Sequence, residues 1–486
     1  MILAAVSPYF KRDLEQLEAF AAVPSLWRDD AQTCVDAYKR DMPTDDAIGI
    51  VQKARRVIAV FVCGLQDSGA FMEAYNKAPL FNWHDYQEPP APRALQQRLA
   101  DMLYIVRGRD DVPVFEIGDQ ARFIAVALID RAVRERIAFD FNVDDVNFTA
   151  TLYAVTSEDG IAALAKNALE KRMTTNVRIM VHQNLSERAV IDGPEDKQKL
   201  YRSLMKPYAE LSRSGKIRWI LTSIPTRRDA EVDGIAYDDY TELYFRMCDQ
   251  PWDAIKAAQY RLIEKLNATK MLRFTNSDGT DLSMNIDGFT FCNSTIVRNI
   301  PGSEVFSAPS IDSTEGKIVA KGRFAAKGEG GQIMEDLTLR FEKGYLAEAK
   351  AAKGQEHLDR AIGIDAGARR IGEIGIGTNP YLKQHVASIL LSEKIGGSFH
   401  VALGDAYTMT DYLGDPVRVD NGNRSLLHWD ITTMLIGKQG QMIADGTPIM
   451  KDGLFLDPAL DVLNRGWRAL PFDARPAAWQ AIYPER

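Results

Sequence analysis

Two of the six histidines in this 486-residue chain stand where a metal ligand would. His428 and Asp430 are two apart in NRSLLHWDITTML. On a strand, positions i and i+2 face the same side, so this spacing sets an imidazole beside a carboxylate. His400 closes a Gly-Gly-Ser turn in GGSFHVALGDAY and enters an apolar run, with Tyr407 seven residues on. Imidazole nitrogen and carboxylate oxygen together suit zinc, manganese, cobalt or ferrous iron. Two glutamates belong with them. Glu304 follows a Pro-Gly turn in NIPGSEVFSAP, and Glu373 lies between Gly372 and Gly375 in RRIGEIGIGTNP. A carboxylate in an apolar, glycine-rich segment is costly to bury unless it is paired or bound to a metal, and glycine lets a backbone approach a ligand closely. On spacing alone, hydrogen-bonded core histidines remain the competing reading. His84, His182, His357 and His385 read as structural, the last two lying in polar or helical contexts without a nearby acidic partner of matching geometry.

The elements that must carry these residues form three regions. Residues 1–92 read as a helical N-terminal extension, with apolar residues at helical spacing in DLEQLEAFAAV and DDAIGIVQKARRVIAVFV. The Glu88–Pro92 stretch cannot continue a helix and reads as a linker. Residues 93–268 read as an α/β domain. Strand-like VPVFEI, AFDFNV, VRIMVHQ and KIRWILTSI alternate with helical stretches, which implies a parallel sheet. A helical stretch broken near Pro251 closes this region. Residues 269–486 read as an α+β, β-rich domain that holds the candidate ligands. KIVAKGRFAAKG, IMEDLTLRFEKG and YLAEAKAA follow one another as in an antiparallel meander, with turns at Gly328, Gly330 and Gly331.

Composition narrows the function. The chain is 46% hydrophobic and carries a net charge of −8, which argues against a broad nucleic-acid footprint. No apolar run approaches the length of a membrane span. The N-terminus lacks the basic segment and apolar length of a secretory signal. A cytoplasmic protein without membrane or nucleic-acid partners is expected. Cys34, Cys63, Cys248 and Cys292 are scattered and read as reduced, buried thiols. GEIGIG has the wrong spacing for a dinucleotide fingerprint, and there is no phosphate-binding loop.

NIPGSEVFSAP, RRIGEIGIGTN, LSEKIGGSFHVALGDAY and NRSLLHWD, in this order and at these separations, resemble the thermophilic metallo-aminopeptidases, the family of aminopeptidases T and S. The upstream SDGTDLSMNIDG resembles the family too. The resemblance is clear over about 270–436 and diffuse over about 95–265. It implies that Glu304, Glu373, His400, His428 and Asp430 hold two divalent ions (Zn, Co, Mn or Mg), and that Tyr407 stands at the metal or the reaction centre. It also implies that Asn423 and Ser425 shape the loop before the His-x-Asp pair, and that the protein is a homodimer. Two features depart from the family: residues 1–90 have no counterpart, and Ser303 stands where an acidic residue or glycine is frequent.

The expected activity is release of N-terminal residues from peptides by a metal-activated water. Glu373 would serve as ligand or base, and Tyr407 as donor to the developing oxyanion. Two alternatives accompany it. One is a ring-cleaving dioxygenase similar to the 2,5-dihydroxypyridine enzyme, with one Fe(II) on His400, His428 and Asp430. The other is an amide or ring hydrolase of small-molecule metabolism.

Overall fold

The computed structural model describes residues 7–83, 93–108, 110–118, 121–185, 191, 193–213, 216–325 and 332–483. The expected linker at Glu88–Pro92, the turns at Gly328, Gly330 and Gly331, and His84 lie outside them. The chain divides into two compact units, at Met1–Thr226 and Arg227–Arg486.

In the first unit, strands Asp140–Val143, Pro113–Ile117, Val177–Gln183 and Arg218–Ile224 lie side by side in that order, every pair parallel. Helices Arg122–Arg134, Val146–Val155 and Glu158–Arg172 alternate with them. Helices Pro8–Ala21 and Thr44–Val62 belong to this same unit. Their apolar faces explain why: Phe10 packs edge-on against Phe139 and Phe141, at 5.4 and 5.5 Å between ring centres. Asp13, fully buried, accepts from Arg55 Nε at 2.9 Å and from Lys171. A carboxylate buried this deeply persists only when it is paired. So helices of the expected N-terminal extension share a core and buried ion pairs with the α/β layer.

The second unit begins earlier than the sequence suggests. Helices Tyr237–Cys248 and Trp252–Asn267, read above as closing the α/β region, fall within it. Ile255, Leu262 and Leu266 of the latter helix enter the core of the β-rich unit. That core lies between two antiparallel sheets. One has eight strands and includes Met271–Thr275, Asp281–Asn285 and the meander Glu315–Ala325, Ile333–Glu342 and Tyr345–Lys353. The other has five, in the spatial order His428–Met434, Ser398–Gly404, Ile371–Gly377, Glu304–Ser307 and Cys292–Ser294. Phe274 of the first stacks on Phe399 of the second, with ring centres 4.1 Å apart. All four cysteines are free and buried.

His385 is packed against Phe324 at 4.7 Å, and burial holds its imidazole down at about 4. It therefore stays neutral in the fold at a pH where the unfolded chain, near 6.5, takes up a proton. The associated stability is complete above pH 6.5 and is lost as pH falls toward 4, up to about 3 kcal/mol. Urea denaturation at pH 7 and pH 4.5 is expected to show a smaller acid loss for His385→Leu than for the parent. Equal losses would remove His385 from the account.

Candidate metal centre

The five-stranded sheet sorts its residues by alternation. Val305, Ile374, Ile376, Phe399, Val401, Leu403, Trp429 and Ile431 point into the core. The intervening positions carry Glu304, Glu373, His400, His428 and Asp430 on the opposite face. Register then brings the five together. Glu304 lies opposite Gly377, His400 opposite Gly375 and Thr432, Ala402 opposite both Glu373 and Asp430, and Gly404 opposite His428. On this face the positions between ligands are glycine or alanine, which leaves room over the sheet.

The side chains fall into two groups of three, Glu304–Glu373–His400 and Glu373–His428–Asp430. His400 Nε2 is 3.5 Å from Glu304 Oε2 and 3.7 Å from Glu373 Oε1. His428 Nε2 is 3.3 Å from Glu373 Oε2 and 3.7 Å from Asp430 Oδ1. Glu373 thus offers one oxygen to each group. His428 Nδ1 donates to the carbonyl of Asp405 at 2.8 Å, which turns Nε2 toward the carboxylates. Glu304 Oε2, Glu373 Oε2 and both ring nitrogens of His400 are buried without a hydrogen-bond partner. Buried polar atoms seldom go unsatisfied. Carboxylate and imidazole donors converging in this way fit a pair of divalent cations.

The electrostatics are those of a crowded acidic pocket. Burial would raise Glu373, but the imidazoles of His400 and His428 beside it win and hold it down at about 2. Burial would lower both imidazoles. Glu373 and the other carboxylates push His400 up to about 9, and Asp430 and Glu373 push His428 up to about 10. Asp430 rises to about 7, through burial and then the charge of Glu393. The Tyr407 phenol is held well above its ordinary value, chiefly by the Glu373 charge, so it remains a proton donor at neutral pH. Its ring lies between Phe306 and His428, at 5.3 and 5.4 Å.

The loop before His428 is fixed by polar bonds. Asn423 Nδ2 donates to the carbonyls of Gly367 and Gly404, at 2.9 and 2.5 Å, and Ser425 Oγ donates to Asp365 at 2.7 Å. Ser303, the departure beside Glu304, is fully buried. Gln259 Nε2 donates to its hydroxyl at 2.6 Å and to Thr378 Oγ1 at 2.8 Å, which ties the Glu304 strand to the Trp252–Asn267 helix. Two charged residues at the site were not singled out in the sequence. Lys394 Nζ, wholly buried, lies 2.5 Å from Glu304 Oε1 and 2.8 Å from Glu393 Oε2. The available signal was a Glu-Lys pair inside the apolar run LLSEKIGGSF. His182, on strand Val177–Gln183, and His357, on helix Gln355–Ile362, lie outside both ligand groups, as does His385.

Comparison with known proteins shows the family. The chain belongs to the thermophilic metalloprotease (M29) family, whose model matches residues 119–455. Among its relatives is aminopeptidase T of Thermus thermophilus, 31% identical over 229 residues, which are 42% of this chain and 53% of the relative. Aminopeptidase AmpS of Bacillus subtilis is 24% identical over 297 residues, 53% of this chain and 70% of that one. The chain thus spans about half the length of the aminopeptidase T it matches. The solved structure of wild-type AmpT from Thermus thermophilus superposes with a TM-score of 0.61 at 23% identity, over 76% of this chain and 100% of the other, and shares its mixed α/β fold.

Proposed function

We propose that this protein is a metal-dependent aminopeptidase with a two-ion centre on the five-stranded sheet. The observation that carries the reading is the pair of ligand groups sharing Glu373. Family membership and the aminopeptidase relatives support it. Glu304 and His400 would hold one ion, His428 and Asp430 the other, and Glu373 both. Divalent ions bound there supply the Lewis acidity that activates a water and polarises a peptide carbonyl. The chain supplies the rest. The Asp405 carbonyl keeps His428 in the tautomer that presents Nε2. Neutral Tyr407 donates a hydrogen bond to the oxyanion that develops on the carbonyl. The acidic pocket receives the ammonium of a free N-terminus, which accounts for a requirement that the peptide be unblocked. A cytoplasmic homodimer acting on peptides belongs to the same reading and rests on the sequence and its resemblance. Among the described residues, no helix is long and apolar enough to cross a membrane.

The one-iron alternative would draw on His400, His428 and Asp430 alone. These three are split between two groups, each of which includes Glu373, and that split favours two ions.

The test is incubation of protein reconstituted with cobalt, manganese or zinc with matched free and N-acetylated peptides, read by mass spectrometry. Stepwise loss of N-terminal residues from free peptides only is expected, abolished by a chelator and restored by metal. No cleavage with any of the three metals would overturn the peptidase reading. Oxygen consumption with ferrous iron and a hydroxylated heteroaromatic would put the dioxygenase in its place.

A further inference from the structure

Lys394 has no evident part in the chemistry above, yet among the described residues it is the one lysine whose ammonium bonds a candidate ligand, and it is completely buried. It takes Oε1 of Glu304 at 2.5 Å and Oε2 of Glu393 at 2.8 Å. Glu304 Oε2, the oxygen turned toward His400, makes no hydrogen bond. Glu304 therefore enters its ligand group with one oxygen already committed and a fixed positive charge behind it. The Lys394 ammonium pairs with Glu304 and Glu393, neither of which is in the Glu373–His428–Asp430 group.

We propose that Lys394 makes the two cation positions unequal: a divalent ion fills the Glu373–His428–Asp430 position first and tightly, and the Glu304–Glu373–His400 position second and more weakly. The inference rests on the two-ion reading. Its physical basis is charge and valence. Four carboxylates (Glu304, Glu373, Glu393 and Asp430) surround the pocket, and the Lys394 ammonium offsets one of them. The offset falls on the Glu304 side. Repulsion between an ammonium and a divalent cation is weakly screened where both are buried. Glu304, with Oε1 engaged, binds through Oε2 alone.

Calorimetric titration of the metal-free full-length protein with cobalt, followed in parallel by cobalt absorption in the visible, tests this. Two binding steps are expected, with affinities at least about tenfold apart, the separation that one buried unit charge readily produces. Glu304→Gln is expected to keep the tight step and lose the weak one, and Asp430→Asn to lose the tight step. Lys394→Met is expected to tighten the weak step by about tenfold or more. Thermal melting of each variant reports on the fold. If Lys394→Met does not fold, the Glu304 and Asp430 variants still decide the order. Two equal steps, or a tight step that is lost in Glu304→Gln and kept in Asp430→Asn, would overturn the inference and leave the two-ion reading standing. No cobalt binding at all would overturn both.

Discussion

Glu373→Gln is expected to lower kcat/KM for peptide cleavage by at least about a thousandfold while leaving the protein folded. Glu373 is the one residue common to both ligand groups, with its oxygens 3.7 Å from His400 and 3.3 Å from His428. Glutamine preserves its shape and removes the charge that would bridge two cations. Metal content measured by mass spectrometry should fall from two ions per chain to one or fewer. The core should not register the change, because Ile374 and Ile376, the core residues that follow it on the strand, point the other way. A Glu373→Gln protein that keeps both ions and parental turnover would remove Glu373 from the centre of the mechanism.

Gly375→Ala is expected to be nearly as damaging, although it adds a single methyl group. A Cβ at this position would lie 2.1 Å from His400 Nε2 and 2.2 Å from Cε1. Gly375 has no left-handed backbone to explain it, so the imidazole opposite is what requires glycine. The ring must swing away or the strands must part. The expected cost is about 1–3 kcal/mol of stability, together with loss of the Glu304–Glu373–His400 position and more than a hundredfold loss of activity, about the size of losing one preorganised group. The double variant Gly375→Ala/His400→Ala separates the two effects. Removing the ring makes room for the methyl, so stability should return while activity does not. Persistence of the full stability loss in the double variant would mean that the glycine serves the backbone instead.

Much of this arrangement was legible because strand alternation is a local code. In GEIGIG, Glu373, Gly375 and Gly377 face the site while Ile374 and Ile376 face the core, and in HWDIT the ligands alternate with Trp429 and Ile431. Period-two patterning of this kind can be read before any partner strand is known. Lys394 could not be read in the same way. Next to glutamate and two glycines it looks like an exposed turn charge, and its burial depends on Glu304, ninety residues earlier. The two-unit division of the chain is hard to read for a related reason. An amphipathic helix announces that it has an apolar face, but not which sheet that face covers, and Ile255, Leu262 and Leu266 cover the later one. Ser303 was visible as a departure, but its bond to Gln259 was not.

The ligands come from four strands that span residues 304 to 430, and each strand contributes no more than two of them. No single strand therefore holds a complete ligand group. Closing the sheet pairs residues distant in sequence, which places it among the slower steps of folding. On the two-ion reading, metal capture would follow that closure. The polypeptide would then commit to its architecture first, and a finished cavity would choose its ion from whatever the surrounding pool supplies.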